Sequence, residues 1–431
     1  MSDKIRTAGI CTLGCRVNQY ESEAIAEALS AEGFEIRDFS QICDVYIINS
    51  CAVTEESVRK SRQMARRARK LNPDAFVAVC GCAAQLDPET LAKAAEADYV
   101  CGTRNKASIV EAVKKGIRKT EVVLPCGEFE PLHISSFNRT RAYIKIQDGC
   151  NGNCSYCVIP KVRGTSVSRR PEDILDEVGR LADKGIKEVV FTGIETSDYR
   201  FGLPELIEET SKLTQISRIR LSSVDPSALT PAFVDAIFSN EKFMPHLHVS
   251  LQSGSDRILK LMRRRYNARM ARTNLEYIRR RVPEVHFSAD MIVGFPTETE
   301  EDFKDTMSFA DGIGLLHGHV FSYSKRPGTE AALMDGQIPE EIKAERSARL
   351  ISSCDNRKEA ILKGIADEGK PVPVLVEKYK DGIAQGHTPF FAETRFSVQN
   401  AALCRGDTVL MMPDGVFDGV LTGYVYTENK K

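Results

Sequence analysis

The sequence predicts an α/β protein in three parts. An amino-terminal parallel α/β sheet domain spans 1–122, a central partial (β/α)6 barrel spans 140–366, and a small carboxy-terminal antiparallel β-barrel of OB-like character spans 371–427. Residues 123–139 read as a linker. Three observations carry this. β-branched apolar runs alternate with helical patterns through the first third. The same alternation, with longer helices, recurs through the middle. The tail then changes to short β-like runs separated by Gly, Asp and Pro turns.

Taken in order, IRTAGICTLG (5–14) reads as a strand, and Gln19 to Gly33 as a helix. DVYIINSC is the second strand and Thr54 to Lys70 the second helix. AFVAVCGC is the third strand, Pro88 to Glu96 the third helix and DYVCG a short fourth strand. The middle gives strands over 142–147, 188–193, 218–223, 247–253, 285–294 and 317–324, with amphipathic stretches between them. In the tail, VPVLVEKY, GIAQGHT, RFSVQN (395–400), DTVLMMP and GVLTGYVYT are the β-like runs.

Composition excludes several classes. The 431 residues carry 59 Lys plus Arg against 60 Asp plus Glu, a net charge of −1. A globally basic nucleic-acid binder is excluded, while a locally basic face is not. No apolar run approaches the ~18 residues of a membrane span. The opening MSDKIRTAGICTLG lacks a secretory h-region, so a cytoplasmic location is expected.

Cysteine is the outlying residue. The 13 cysteines stand at 11, 15, 43, 51, 80, 82, 101, 126, 150, 154, 157, 354 and 404. An odd number in a large chain of this kind fits disulfides poorly and points to metal or cluster ligation, or to buried thiols. Gly149-Cys150-Asn-Gly-Asn-Cys154-Ser-Tyr156-Cys157 follows the first strand of the middle domain directly. This C-x3-C-x2-C spacing puts three thiolates in one loop, with Gly and Asn to curl the backbone. Three ligands suit a 4Fe–4S cluster with one open iron. The rival, a structural zinc knuckle, wants a fourth ligand, and no His or further Cys is near. Cys15, Cys51 and Cys82 each end or follow a predicted strand. Ligands bind at such ends in open α/β sheets, so these three thiols form a second triad candidate.

The first motif resembles the radical S-adenosylmethionine (radical SAM) signature, with Tyr156 as its aromatic residue. The second constellation resembles the amino-terminal domain of the methylthiotransferase family. The stretches that carry it are Thr12-Leu-Gly14-Cys15-Arg-Val-Asn18-Gln-Tyr-Glu21-Ser22-Glu23, Asn49-Ser50-Cys51-Ala-Val-Thr54 and Gly81-Cys82-Ala-Ala-Gln85. Its Gly-Cys-x-x-Gln frame favours Cys82 over Cys80, and Cys11 and Cys80 then read as strand residues.

The resemblance covers essentially the whole chain and implies a cluster domain, a radical SAM barrel and a TRAM-type β-barrel. It also implies two 4Fe–4S clusters, one on Cys150, Cys154 and Cys157 and one on Cys15, Cys51 and Cys82. S-adenosyl-L-methionine would be both radical and methyl source. The implied partners are a tRNA substrate and an electron donor such as flavodoxin or ferredoxin. Short marks at His248–Ser255 and Val320–Thr329 look most like the branch acting on threonylcarbamoyl-adenosine: the isopentenyladenosine branch typically has Pro-Val-Gln-Ser where this chain has Ser250-Leu-Gln252-Ser, and the ribosomal-protein branch typically has Glu where this chain has Arg326. The isopentenyladenosine and ribosomal-protein branches stay open beside it. So does a rival of another class, a non-catalytic iron–sulfur or zinc RNA-binding protein.

Strand ends supply the expected SAM-side residues: Glu195, Arg220, Ser250 and Gln252, with capping or packing roles as their bland alternative. Arg163-Gly164, past the cluster loop, is a weaker candidate. For RNA, Arg59 to Lys70 holds seven basic residues and no acidic one. Arg263-Arg264-Arg265 and Arg139-Thr-Arg141 would extend that patch. A solvated charged face is the plain alternative.

Overall fold

The structure is a computed structural model and describes residues 6–137, 139–398 and 402–427. The remaining residues, including the ends of the expected runs 5–14 and 395–400, lie outside the described residues. The first unit alternates β1 (Arg6–Thr12), α1 (Arg16–Ala31), β2 (Phe34–Arg37), β3 (Val45–Ser50), α2 (Glu55–Leu71), β4 (Phe76–Gly81), α3 (Cys82–Leu86), α4 (Pro88–Ala95), β5 (Tyr99–Cys101), α5 (Ser108–Lys115) and β6 (Lys119–Glu121). All six strands are parallel, in the order β2-β1-β3-β4-β5-β6. A parallel sheet covered on both faces needs apolar residues on both, and β3 is buried at every position. Ile25, Leu29, Ile109 and Ala112 of α1 and α5 pack with one side of the sheet. Ala65, Ala68, Leu91 and Ala95 of α2 and α4 pack with the other. From β1 the chain steps outward to β2, then returns to place β3 on the other side of β1, so the crevice between β1 and β3 is a topological switch point.

The second unit holds β7 (Arg141–Lys145), β8 (Gln147–Asp148), α6 (Ile159–Arg163), β9 (Val167–Ser168), β10 (Glu188–Thr192), β11 (Arg218–Leu221), β12 (Ser223–Val224), β13 (His246–Gln252), β14 (His286–Val293) and β15 (Leu315–Ser322). β7-β10-β11 and β12-β13-β14-β15 are parallel sheets. β11 and β12 are one strand interrupted at Ser222, so six parallel strands form the partial barrel. Ala142, Ile144, Val189, Phe191, Ile219, Leu247 and Phe287 join one large apolar core. The alternate positions, among them Arg141, Lys145, Glu188, Arg220 and His246, point the other way, into the barrel.

The helix Glu340–Asp367 leads to the third unit, a closed barrel of β16 (Val372–Lys380), β17 (Ile383–His387), β18 (Glu393–Ser397), β19 (Thr408–Phe417) and β20 (Val420–Val425). Its pairings are antiparallel except β18 with β20, which is parallel. The β17–β18 turn stoppers the strand N-termini of the partial barrel. Arg220 donates to Thr388 O (3.1 Å) and Pro389 O (2.8 Å), and Arg218 donates to His387 O (3.0 Å). Phe391 stacks on the His246 ring at 4.8 Å.

Some local expectations shift. α1 starts at Arg16 rather than Gln19, and β2, β6, α3 and α5 were not anticipated: β2, β6 and α3 are too short to show a period, and α5 is amphipathic through Ile109, Ala112 and Val113 but only two turns long. The stretch 123–139 has no helix or strand among its described residues, yet it is welded to the core. Leu132, Ile134 and Phe137 are buried, and Tyr20 Oη donates to Leu132 O (2.6 Å).

Candidate functional site

Glycine sets the course of the Cys150 loop. Gly149 has φ +73°, and a Cβ there would lie 2.1 Å from Thr165 O. The chain therefore doubles back, and Cys150 N donates to Gly164 O (3.0 Å). Each sulfur of the loop accepts an N–H. Gly152 N donates to Cys150 Sγ (3.2 Å), Arg264 Nη1 to Cys154 Sγ (3.2 Å) and Ile159 N to Cys157 Sγ (3.4 Å). A Cβ on Gly152 would stand 3.1 Å from Cys150 Sγ and 3.9 Å from Cys154 Sγ, so its absence leaves a cradle between the two. Burial raises the Cys150 thiol and pushes Cys157 up to about 12. Tyr156 turns inward and meets Phe295 edge-on at 6.5 Å.

Strand C-termini complete this rim. Gln147 Oε1 accepts from Ile194 N and Glu195 N, both 2.9 Å, and its amide donates to Gly149 O (2.8 Å) and Ser166 Oγ (2.9 Å). Gln147 thus clamps the loop after β10 to the cysteine loop. Burial first, then repulsion from Asp225, pushes the Glu195 carboxyl up to about 7. Arg264 pairs with Asp225 and donates to Ser250 O (3.3 Å) as well as to Cys154. Gln252 has φ +61° beside a register shift of β13. Glu195 and the Ser250 carbonyl therefore stand by the cysteine loop, and Gln252 ends the same strand.

Arg220 does not join them. Its guanidinium is committed at the opposite end of the barrel, to Glu188 Oε1 (2.9 Å) and to the β17–β18 turn. The expectation that it faces the cofactor is corrected by its register: it lies too early in β11 to reach the strand end. Gln147, Asp225 and Arg264 escaped the sequence reading. Arg264 was hidden inside a run that reads as a charged surface, and only its half-buried position reveals it.

Cys15, Cys51 and Cys82 follow β1, β3 and β4, which are adjacent in the sheet, so its C-terminal edge collects all three. Cys15 and Cys51 flank the switch point. Gly14, at φ +94°, lets the chain turn so close that a Cβ would lie 2.9 Å from Cys51 Sγ. Burial, with the neighbouring Cys82 and Cys15 sulfurs, pushes Cys51 up to about 11. The flanking motif residues are clasps. Asn18 Nδ2 donates to Leu13 O (2.7 Å) and Ser50 O (3.0 Å), and Asn49 Nδ2 to Asn18 O (2.9 Å) and Ser22 Oγ (3.1 Å). Gln85 Oε1 accepts from Thr103 N (3.0 Å). Cys80 packs in the opposite core, under α1 and α5, and Cys11 lies within β1.

One side chain joins the two triads. Arg163 ends α6, the helix that follows Cys157. It donates to Cys82 Sγ (3.3 Å), Asn18 Oδ1 (2.6 Å), Asp148 Oδ1 (2.9 Å) and Glu21 Oε1 (3.1 Å). Lys145 stands 2.7 Å from both Glu21 and Asp148, Lys106 pairs with Glu21, and Arg104 lies 3.9 Å from Asp148. The cations outnumber the carboxylates, and Arg163 and Lys106 hold Glu21 well below the usual carboxylate range. The surplus positive charge lies beside Cys82, where it would balance an anionic iron–sulfur group.

Among the described residues, no three His, Cys, Asp or Glu side chains already converge on a single-ion site. An iron–sulfur cube spreads its thiolates wider than one ion does. The donor chemistry here, three cysteines per site with N–H donors and glycine-made room, fits such a group.

The basic patch is smaller than its sequence. On α2, Arg59 and Lys60 pair with Glu56, Arg66 caps Ala94 O (3.0 Å), and Arg69 pairs with Asp98 (2.6 Å). Arg62, Arg67 and Lys70 stay unpaired among the described residues. Arg264 and Arg141 are taken up by buried ion pairs, so neither extends the patch.

Residues 144–310 match the radical SAM superfamily, and residues 7–102 match a family described as uncharacterized protein family UPF0004. Threonylcarbamoyladenosine tRNA methylthiotransferase MtaB of Bacillus subtilis (strain 168) is 39% identical over 362 residues, covering 81% of this chain and 80% of that one. The protein of the same name from Chlamydia pneumoniae is 38% identical, covering 91% and 92%. tRNA-2-methylthio-N(6)-dimethylallyladenosine synthase of Syntrophus aciditrophicus (strain SB) is 34% identical, covering 86% and 83%. Among solved structures, the radical S-adenosylmethionine methyltransferase TsrM from Kitasatospora setae, with cobalamin and a [4Fe-4S] cluster bound, superposes with TM-score 0.58 at 16% identity, covering 77% and 74%. That likeness is one of fold.

Proposed function

This chain belongs to the methylthiotransferase family of radical SAM enzymes, and from that premise we propose that it converts N6-threonylcarbamoyladenosine beside a tRNA anticodon to its 2-methylthio derivative. It is a transferase that uses 4Fe–4S clusters and S-adenosylmethionine. In this reading Cys150, Cys154 and Cys157 hold one cluster, and Cys15, Cys51 and Cys82 hold the second. When bound, these groups supply the electron that cleaves S-adenosylmethionine to a carbon radical, and the sulfur that is inserted.

The observation that carries the proposal is Arg163, which touches Cys82 from the helix that continues the Cys157 loop. Two three-cysteine sites held side by side by a buried charge network suit one reaction that needs both. Around them the chain's own residues bind and orient. Gln147 holds the cysteine loop against the turn after β10. Glu195 accepts the methionyl ammonium at that strand end, a cation that favours the carboxylate which burial and Asp225 disfavour. Asp225 and Arg264 fix the far wall. Arg62, Arg67 and Lys70 track tRNA phosphates, and the carboxy-terminal barrel, in its TRAM-like role, adds to that grip. A flavodoxin or ferredoxin supplies electrons. No helix of the described residues is long and apolar enough to cross a membrane, which agrees with the cytoplasmic site of work proposed here.

Anaerobic reconstitution should load about eight irons per chain. Replacing Cys15, Cys51 and Cys82 together by Ala should halve that load; an unchanged load overturns the two-cluster reading. Nucleosides of tRNA from a deletion strain should lose 2-methylthio-N6-threonylcarbamoyladenosine. Retention of that nucleoside in a strain without a paralogue, or loss of the isopentenyl counterpart instead, overturns the substrate.

A further inference from the structure

The stretch 257–272 holds seven basic residues and no acidic one. It covers the corner between the short helix Asp256–Leu261, just beyond the end of β13, and the helix Ala268–Arg281. Two bonds close that corner, Arg264 N to Leu259 O (2.9 Å) and Arg263 N to Lys260 O (3.0 Å). The pattern puts Arg263 in the left-handed region, at φ +57°, where glycine is the usual occupant. The chain accepts that strain with an arginine whose exposed guanidinium reaches Glu330 (2.6 Å). Lys260, Arg265 and Arg269 are exposed around it and make no ion pair among the described residues. Met270 stands exposed beside Arg269.

The first cysteine loop lies directly under this corner. Ser155 N donates to Met262 O (3.2 Å) and Ser155 Oγ to Leu261 O (2.7 Å). Arg264, between the exposed Arg263 and Arg265, donates to the half-buried Cys154 Sγ (3.2 Å). The Cys157 end of the loop runs instead into α6, whose Arg163 touches Cys82. The loop thus turns one end to the second triad and rests its middle on a basic corner of the surface. Electron transfer falls off steeply with distance, so a carrier protein docks where a ligand sulfur lies close under the surface. Redox encounters of this kind are small and transient, and charge complementarity steers them. An exposed methionine within a rim of arginines suits such a contact.

We propose that the corner 260–269 is the docking surface for an acidic one-electron carrier protein, and that electrons cross it to the first cysteine site by way of Arg264 and Cys154. The inference rests on the electron-donor part of the reading above and gives that donor its place. One electron leaves the reduced flavin of such a carrier, which is oxidised, and reduces the group held by Cys150, Cys154 and Cys157; no bond or proton changes hands.

The test mixes reconstituted full-length enzyme anaerobically with reduced flavodoxin and follows flavin oxidation by stopped-flow absorption. The combined variant Arg263→Gly, Arg265→Glu and Arg269→Glu reverses the charge of the corner. Glycine suits the turn at 263, and the other two side chains are exposed. At low salt the variant should slow electron transfer from flavodoxin roughly tenfold or more, weaken flavodoxin binding in step, and lose the salt dependence of wild type. Reduction by dithionite, iron content and the KM for tRNA under dithionite should keep their wild-type values. An unchanged rate with flavodoxin overturns the proposal. A raised KM for tRNA under dithionite makes the corner an RNA surface and overturns it as well. Slower reduction by both reductants, or lost iron, assigns these arginines to the support of the cluster and also overturns it. Wild-type enzyme that dithionite reduces, but neither flavodoxin nor ferredoxin does, overturns the donor reading itself.

Discussion

Arg163 shows how one residue can be misjudged from sequence. From sequence Arg163 is only a weaker candidate past the cluster loop; in the fold it ends the five-residue α6 and is fully buried, with bonds to Cys82, Asn18, Glu21 and Asp148. Replacing it by Gln leaves Glu21 and Asp148 to Lys106, Lys145 and Arg104 but removes charge-assisted hydrogen bonds to both. Each such bond is worth about 1.5–3 kcal/mol, so the apo-protein's urea midpoint should fall. The same variant removes a donor from Cys82 Sγ, and hydrogen bonds to sulfur tune cluster potentials. The reduction potential of the second cluster should therefore move in a sample whose first cluster is unchanged. An unshifted potential with an unshifted midpoint would refute the role. At this scale the six cysteines were legible because spacing and strand-end placement are local. Arg220 was misplaced because register within a strand is not: two residues' difference in depth sends a side chain to the wrong end of the barrel.

Among elements, the β17–β18 turn carries the most consequence. Its Phe390 and Phe391 lie against His286, at 5.0 Å, and His246, at 4.8 Å. Phe391 O receives His317 Nε2 at 3.4 Å. Burial first, then Arg279, holds the His286 ring at about 4; burial first, then Lys358, holds His317 at about 4. Burial holds His246 well below its usual value too. These groups fold neutral and unfold with an ordinary pKa near 6.5. Between about pH 6.5 and 4 the unfolded state binds more protons, so stability is present above 6.5 and falls as pH drops. The apo-protein's melting temperature should decline from pH 7.5 to pH 5, with early proteolysis near residues 367–371. A triple Asn variant at 246, 286 and 317 should flatten that decline; an undiminished slope rules these histidines out as its source. The 17-residue α2 was read from its helical pattern and β3 from its unbroken β-branched apolar run. β2, β6 and α3 are too short to show a period, and tertiary packing rather than pattern selects them.

Across the molecule, the order of units was legible from where hydrophobic period changes, but their docking was not. Nothing in the tail's alternating pattern says that it closes the foot of the partial barrel. Nothing in the irregular stretch 123–139 says that it packs into the core through Leu132, Ile134 and Phe137. Such facts depend on residues far apart in the chain, and a local pattern does not record them.

The buried salt network around Arg163 has a mechanical meaning. A jaw that opened between the first two units would pull Arg163 and Lys145 from Glu21, and Arg163 from Asn18 and Cys82, at about 1.5–3 kcal/mol for each charge-assisted bond. The hinge is in effect welded shut, and the gap between the two sulfur-lined sites has a fixed gauge. Deformation on encounter then belongs to the nucleic acid: the target base must swing out of its stack and travel to a stationary socket.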